Sequence, residues 1–167
     1  MEAIILNGPM GVGKTTVGNI LAERLPGTAF IDGDWCMDLH PFVGNDMTRA
    51  MAADNILHMA GNYMACPHCK GIIIVWLIDV DNVFERLKKG LTDLGLNVKT
   101  VTLVCTQEQL RKQWQEDTVC PWRTDDLLEV SLRSLPFFLE KADQIDITGL
   151  TSQESADKIL KEKNLSW

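Results

Sequence analysis

The residues whose types and spacing are most specific for chemistry lie at positions 8–15, which read Gly-Pro-Met-Gly-Val-Gly-Lys-Thr. This spacing matches the pattern G-x-x-x-x-G-K-T, in which glycines let the backbone curl so that successive N–H groups point at a phosphate. Lys14 would neutralise the β- and γ-phosphates, and the Thr15 hydroxyl would ligate Mg²⁺. We therefore predict a nucleoside triphosphate site with eight contact residues: Gly8, Met10, Gly11, Val12, Gly13, Lys14, Thr15 and Thr16.

The segments on either side of this loop favour the same interpretation. Residues 3–7 form a short apolar run, which is typical of a buried parallel strand. After the loop, Val17, Leu21 and Leu25 recur at helical spacing until Pro26 and the glycine after it end the helix. The motif requires strand, loop and helix in this order, whereas a glycine-rich turn that binds no nucleotide does not.

A second candidate site follows the predicted second strand, residues 28–32. Asp32 and Asp34 are separated by a glycine, and side chains alternate along a strand, so we expect both carboxylates on one face. Ligands of doubly wound sheets bind at the carboxyl ends of the strands. One carboxylate would orient water on Mg²⁺, while the other would hold an acceptor hydroxyl and take its proton. The alternative is a pair of acidic loop residues that cap a helix.

Apolar runs alternate with amphipathic stretches along the whole chain of 167 residues, which predicts a single domain, residues 1–167. The expected fold is α/β, with a five-stranded parallel sheet between helices on both faces. Residues 71–78 are apolar on both sides and are predicted to form the central strand. The remaining predicted elements are strands at 98–105 and 144–147, helices at 46–65, 82–94, 125–142 and after Thr151, and capping boxes at Thr106–Gln109 and Thr151–Glu154.

The composition excludes several functional classes. A formal net charge of -7 argues against broad nucleic-acid or anionic-membrane binding, and no apolar run approaches the length of a membrane span. No secretory signal precedes the first strand, so the five cysteines are expected to be free thiols in a reducing cytoplasm. The Cys-Pro-His-Cys segment at 66–69 lacks a second cysteine pair, which favours a turn over a zinc site.

In its P-loop, its Asp-x-Asp after the second strand and its expected lid, the chain resembles the small P-loop kinases, such as shikimate kinase, gluconate kinase, chloramphenicol phosphotransferase and the nucleotide kinases. The resemblance implies that Asp32 is the carboxylate on the magnesium side and Asp34 the candidate base. It also implies that residues 146–150, with Thr148, pass the adenine. Shikimate kinase has a glycine triplet after its third strand, where this chain has Trp76 and apolar residues.

Two arginines flank the irregular stretch predicted at residues 114–124, and we place a lid at approximately 112–125. Arg123 lies inside this lid and would supply positive charge to the γ-phosphoryl group. Arg111 precedes it and, by the same resemblance, would stack on adenine. The alternative for each is a solvated surface arginine.

Three further residues are candidates for contact with the acceptor. On the helix predicted at 46–65, one side carries Thr48, Asp54, Asn55, His58 and Asn62, and Arg49 lies on the opposite, apolar side. A charge there must snorkel, form an ion pair or face a cavity, so Arg49 could bind an anionic group of the acceptor. Trp35 and Trp76 fall near strand ends and would form an aromatic wall, although core packing is the alternative for both.

These observations predict an ATP- and Mg²⁺-dependent kinase that phosphorylates a hydroxyl of a small molecule. A nucleotide-binding switch protein with slow hydrolysis is the first alternative, but no Asn-Lys-x-Asp guanine motif occurs. A kinase-like interaction module without an acceptor site is the second. Lys14, Thr15, Asp32 and Asp34 are all present, which argues against it.

Overall fold

The protein is described from a computed structural model, which covers residues 1–118, 120 and 124–167. Five parallel strands form one sheet in the order β2-β3-β1-β4-β5. Their bounds are β1 Glu2–Asn7, β2 Thr28–Asp32, β3 Gly71–Val75, β4 Asn97–Val104 and β5 Gln144–Asp146. The predicted five-stranded parallel α/β fold is confirmed.

The helices cover both faces of this sheet, which gives three layers. One face packs against α1, α4, α5 and α6, and the other against α2 and α3. The helix bounds are α1 Lys14–Arg24, α2 Asp46–Met64, α3 Asp81–Asp93, α4 Gln107–Glu116, α5 Asp125–Leu139 and α6 Ser152–Glu162. A 3₁₀ turn, Trp35–Met37, lies between β2 and α2. None of the helices within the described ranges is both long and apolar enough to cross a membrane.

The prediction that residues 71–78 form the central strand is wrong. The central strand is β1, and β3 lies between β1 and β2 and ends at Val75. Both strands are buried on both faces, so an apolar run does not distinguish the central position from the one beside it. Trp76 and Ile78 remain buried beyond the end of β3.

Two local predictions also differ from the structure around α4. Residues 114–116 belong to this helix rather than to an irregular stretch, because the ring of Trp114 is buried in the core and stabilises the last turn. The Thr106 hydroxyl accepts from the Gln109 N–H, but the Gln109 side chain bonds Ile147 and Gly149 instead of completing the capping box. The capping box at Thr151–Glu154 is confirmed.

Candidate active site

The phosphate loop leaves the carboxyl end of β1 and leads directly into α1. Gly8, Gly11 and Gly13 have φ values of 142°, 81° and 100°, which side chains rarely tolerate. A Cβ on Gly8 would lie 2.5 Å from the Leu103 carbonyl oxygen, and one on Gly11 would lie 2.8 Å from the Trp114 ring. No side chain caps the first turn of α1, so the backbone N–H groups of this turn are available to bind an anion.

Distant elements hold this loop in place. The Asn7 Oδ1 accepts from the N–H of Gly8 at 2.8 Å and from that of Ile78 at 2.9 Å, while its Nδ2 donates to the Ile78 carbonyl. On the other side, the buried Ser131 hydroxyl of α5 donates to the Met10 carbonyl at 2.7 Å. Sequence reasoning missed Asn7 and Ser131, because long-range contacts leave no spacing signal.

Lys14 is half-buried at the start of α1. Its Nζ donates to the carbonyl oxygens of Gly8 and Pro9, each at 2.9 Å. The ammonium group is therefore held against the loop where phosphates would bind. The Val12 side chain points from the loop into the core and is buried. Thr15 and Thr16 are exposed on the first turn of α1.

Thr15 and Asp32 meet beside the loop. The Thr15 hydroxyl donates to the Asp32 Oδ2 at 3.4 Å. Burial raises the pKa of the Asp32 carboxyl, and the nearby Asp34 charge raises it further, against the lowering effects of the Asp34 N–H, of Lys14 and of Thr15. A divalent cation at these oxygens would favour the ionised carboxylate. The pair fits Mg²⁺, which commonly uses one or two carboxylates beside phosphate oxygens and water.

Asp34 does not follow the predicted strand alternation. The strand ends at Asp32, and Asp34 adopts helical angles at the start of the 3₁₀ turn. The Asp34 N–H donates to the Asp32 Oδ1 at 3.0 Å, so a turn rather than the pleat brings the two carboxylates together. The 3₁₀ turn itself has no side-chain cap, so the bond from Asp34 to Asp32 is a local turn and not the helix cap of the alternative interpretation. Asp34 itself is exposed.

The two tryptophans have different surroundings. Trp35 is 78% exposed, whereas Trp76 is 3% exposed and belongs to the core beneath α2 and α3. Gly33 lies against Trp76, and a Cβ on that glycine would lie 2.2 Å from the indole ring. Trp76 therefore supports the turn that carries the aspartates, while Trp35 faces solvent. Contact of either residue with an acceptor stays a prediction.

Two of the predicted arginines, Arg49 and Arg111, lie on different helices of the described structure. Arg49 is in the first turn of α2, where its side chain is 32% exposed and lies 3.5 Å from the Asp46 carboxylate. Arg111 of α4 pairs with Glu129 of α5 at 3.0 Å. Arg123, together with residues 119, 121 and 122 of the predicted lid, lies outside the described residues.

The segment predicted to pass the adenine is fixed against α4. The Thr148 hydroxyl accepts from the Thr106 N–H at 3.0 Å, and the Thr148 N–H donates to Asp146 at 2.8 Å. Hydrogen bonds from Thr148 lower the pKa of the Asp146 carboxyl. The Gln109 side chain bridges the same segment through the Ile147 carbonyl and the Gly149 N–H. Contact of Thr148 and Arg111 with nucleotide stays a prediction.

An open groove of about 720 Å³ begins at Thr15 and Asp32 and continues between α1, β2 and α2. Its other lining residues are Asn19, Phe30, Ile31, Trp35, Cys36, Asn55, His58, Met59 and Asn62. The sequence contained a signal for the α2 residues, because Asn55, His58 and Asn62 recur at helical spacing on the side predicted to be polar.

A site built wholly from protein ligands would need more metal-binding side chains than the Thr15–Asp32 pair provides. Within the described part of the chain, no group of three or more His, Cys, Asp or Glu residues is arranged to hold a metal ion. The Cys-Pro-His-Cys segment forms a turn in which the Cys69 N–H donates to the Cys66 carbonyl at 3.0 Å.

Comparison with known proteins identifies the family. A family model described as an AAA domain matches residues 4–124, which is more than half of the chain. The chain belongs to this AAA-domain family. In sequence, it is 47% identical over 38 residues to the shikimate kinase of Psychrobacter cryohalolentis, a match that covers 23% of this chain and 20% of that kinase. The chain thus spans about a fifth of the length of this relative.

Solved structures extend the likeness to the whole chain. The tunicamycin resistance protein of Deinococcus radiodurans is 26% identical, with a TM-score of 0.70 over 99% of this chain and 96% of that one. A sugar kinase from Janibacter is 14% identical, with a TM-score of 0.77 over 98% and 95% of the two chains, which shows a shared fold. The predicted resemblance to the small P-loop kinases is confirmed at the level of family and fold.

Proposed function

We propose that the protein is an ATP-dependent kinase that transfers the γ-phosphoryl group to a hydroxyl of a small molecule. The observation that carries this proposal is the meeting of three groups at one point. The phosphate loop and Lys14, the Thr15–Asp32 oxygen pair and the exposed Asp34 all lie at the carboxyl ends of β1 and β2. Phosphoryl transfer needs positioning and charge stabilisation more than covalent chemistry, and this arrangement supplies both.

Each residue has a distinct role in this mechanism. The loop N–H groups and Lys14 bind the β- and γ-phosphates, and Thr15 with Asp32 would hold Mg²⁺, which when bound neutralises charge on the phosphate oxygens. Asp34 accepts the proton of the acceptor hydroxyl while the oxygen of that hydroxyl forms a bond to the γ-phosphorus. The bond from that phosphorus to the bridging oxygen breaks, and its electron pair leaves with ADP.

The remaining predicted residues would bind the nucleotide or close the site. Thr148 and Arg111 would lie beside adenine, since the 146–150 segment and α4 are joined through Gln109. Arg123 would add positive charge to the γ-phosphoryl group from the lid. We also propose that the protein acts in the cytoplasm, where its five cysteines would stay free thiols. The net charge of -7 supports a function that needs neither nucleic acid nor membrane.

The test is ATP consumption with and without a library of hydroxylated metabolites, at saturating Mg²⁺. A kinase shows acceptor-dependent ADP formation above a low background. Steady hydrolysis that no acceptor stimulates would instead support the alternative, a nucleotide-binding switch protein. Replacing ATP by GTP in the same assay tests whether the site prefers adenine to guanine.

A further inference from the structure

We propose that the acceptor is an uncharged molecule that carries hydroxyl or amide hydrogen-bond donors on a ring, and that it binds in the groove between α1, β2 and α2. This inference rests on the proposed kinase function and specifies its substrate class. Four observations support it: the position of the groove, its hydrogen-bonding atoms, its charge and its aromatic mouth.

The groove reaches the point of phosphoryl transfer. Thr15 and Asp32 line one end, and the groove extends from there along β2 to Asn62 of α2. Asp34 is not itself part of the lining, but it is bonded to Asp32 at this end of the groove. A ligand here can therefore place one hydroxyl beside the γ-phosphoryl group while the rest of the molecule lies along the strand. Its volume of about 720 Å³ is within the range of small-molecule sites.

Two side chains in the groove are held so that hydrogen-bond acceptors remain for a ligand. The Asn55 Nδ2 donates to the Cys36 carbonyl at 2.8 Å, which fixes the amide and leaves its Oδ1 as an acceptor. The His58 Nδ1 lies 2.8 Å from the Asp54 carbonyl oxygen, and because a carbonyl can only accept, Nδ1 must carry the hydrogen. In the neutral ring Nε2 is then an acceptor. These acceptor atoms bind hydroxyl or amide N–H groups and repel the oxygens of an anion, while the second hydrogen on the Asn55 Nδ2 remains a donor for a neutral oxygen.

The charge of the groove also favours an uncharged acceptor. Among the described residues that line it, none is Lys or Arg, and Asp32 contributes a carboxylate. An anionic acceptor would find no opposite charge there, and the carboxylate with which a cationic acceptor would pair, that of Asp32, is the one assigned to Mg²⁺. Arg49, the residue predicted to bind an acceptor anion, lies beside Asp46 and is not part of this lining.

The mouth of the groove offers a flat apolar surface. Trp35 is 78% exposed there, and Phe30 and Met59 line the wall beyond it. An exposed indole gains stability by stacking on the face of a ring. A cyclic acceptor with hydroxyl or amide groups on its edge would satisfy the aromatic surface and the asparagines together.

The first experiment divides the acceptor library by charge. ATP consumption is measured with neutral cyclic polyols and nucleosides and, separately, with carboxylated, phosphorylated and amine-bearing compounds of similar size. We expect acceptor-dependent turnover in the neutral set. Turnover confined to anionic or amine-bearing compounds would overturn this inference but leave the kinase function intact, whereas hydrolysis that no compound in any set stimulates would contradict the kinase function itself.

The second experiment tests the groove with the active neutral acceptor. Asn55→Ala and Asn62→Ala should each raise the KM for the acceptor by about tenfold, the loss expected for one hydrogen bond, without changing the Kd for an ATP analogue. Asn82→Ala is the matched control, because this exposed amide on α3 lies outside the groove. His58→Arg should weaken binding of the neutral acceptor and allow its carboxylated analogue to bind. Unchanged acceptor KM values in all three groove variants would place the acceptor elsewhere.

Discussion

The phosphate loop and the segment from Trp35 to α2 border the same site but are held very differently. The loop is fixed by glycine contacts with β4 and α4, by Asn7 and by Ser131 of α5. The other segment exposes large apolar side chains, with Trp35, Phe42 and Met47 at 78%, 70% and 80% exposure. Phosphate is recognised by backbone N–H groups that must be rigidly placed, whereas an acceptor is recognised by side chains on a surface it can cover.

On the phosphate side of the site, Lys14→Ala is expected to have the largest effect on turnover. Loss of the ammonium group that stabilises phosphate charge should lower acceptor-dependent turnover by about 10³-fold. The fold should remain, because the side chain is only half-buried. Lys89→Ala is the matched control, since that lysine is an exposed surface residue paired with Asp93. Unaltered turnover in a folded Lys14→Ala variant would exclude the phosphate-binding role.

The tryptophans test the contrast in packing between the two regions. Trp76→Ala should lower the free energy of unfolding by about 3–5 kcal/mol, because it leaves a cavity beneath the aspartate turn. Trp35→Ala should change it by less than about 0.5 kcal/mol, because the ring is mostly exposed. Chemical denaturation monitored by circular dichroism measures both. Equal losses would show that the two regions are packed alike.

The aspartates separate the metal side from the acceptor side. Asp34→Asn should lower the turnover number by about 10²-fold while ATP-analogue binding changes little, as expected for loss of a general base. Asp32→Asn should instead raise the Mg²⁺ concentration needed for half-maximal rate. Steady-state kinetics over a magnesium series distinguishes the two. Small and equal effects would return both residues to a capping role.

Ser131→Ala tests the remote anchor of the loop and has the smallest expected effect. It removes the donor to the partly buried Met10 carbonyl and should cost about 1 kcal/mol of stability. The KM for ATP should rise as well, because the loop is less well placed. Ser134→Ala is the control, since that hydroxyl donates to the Ser131 carbonyl within the same helix. Identical behaviour of the two variants would remove Ser131 from the support of the loop.

The strand, loop and helix around residues 8–15 follow the predicted order because their determinants are local. Residues 8–15 and the strand and helix around them carry the pattern within a short stretch, as does Asp32 at the end of β2. The place of β1 at the centre of the sheet was missed, because β3 is equally apolar. The turn at Asp34 was missed because the side-chain alternation of β2 was extended two residues beyond its end at Asp32.

The acceptor side was harder to predict because it depends on tertiary structure. Asn55, His58 and Asn62 were recognised as one polar side of a helix, but only the packing of α2 beside β2 turns that side into a groove wall. Arg49 was singled out for its apolar helical neighbours, yet it lies in the first turn of α2 beside Asp46.

The most direct test of the central claim is the fate of the γ-phosphoryl group, followed by ³¹P NMR and mass spectrometry in a reaction with ATP, Mg²⁺ and the active acceptor. The account predicts one phosphorylated acceptor for each ADP formed, with both products lost in Lys14→Ala and the acceptor product reduced in Asp34→Asn. Formation of ADP with inorganic phosphate and no phosphorylated acceptor would contradict it.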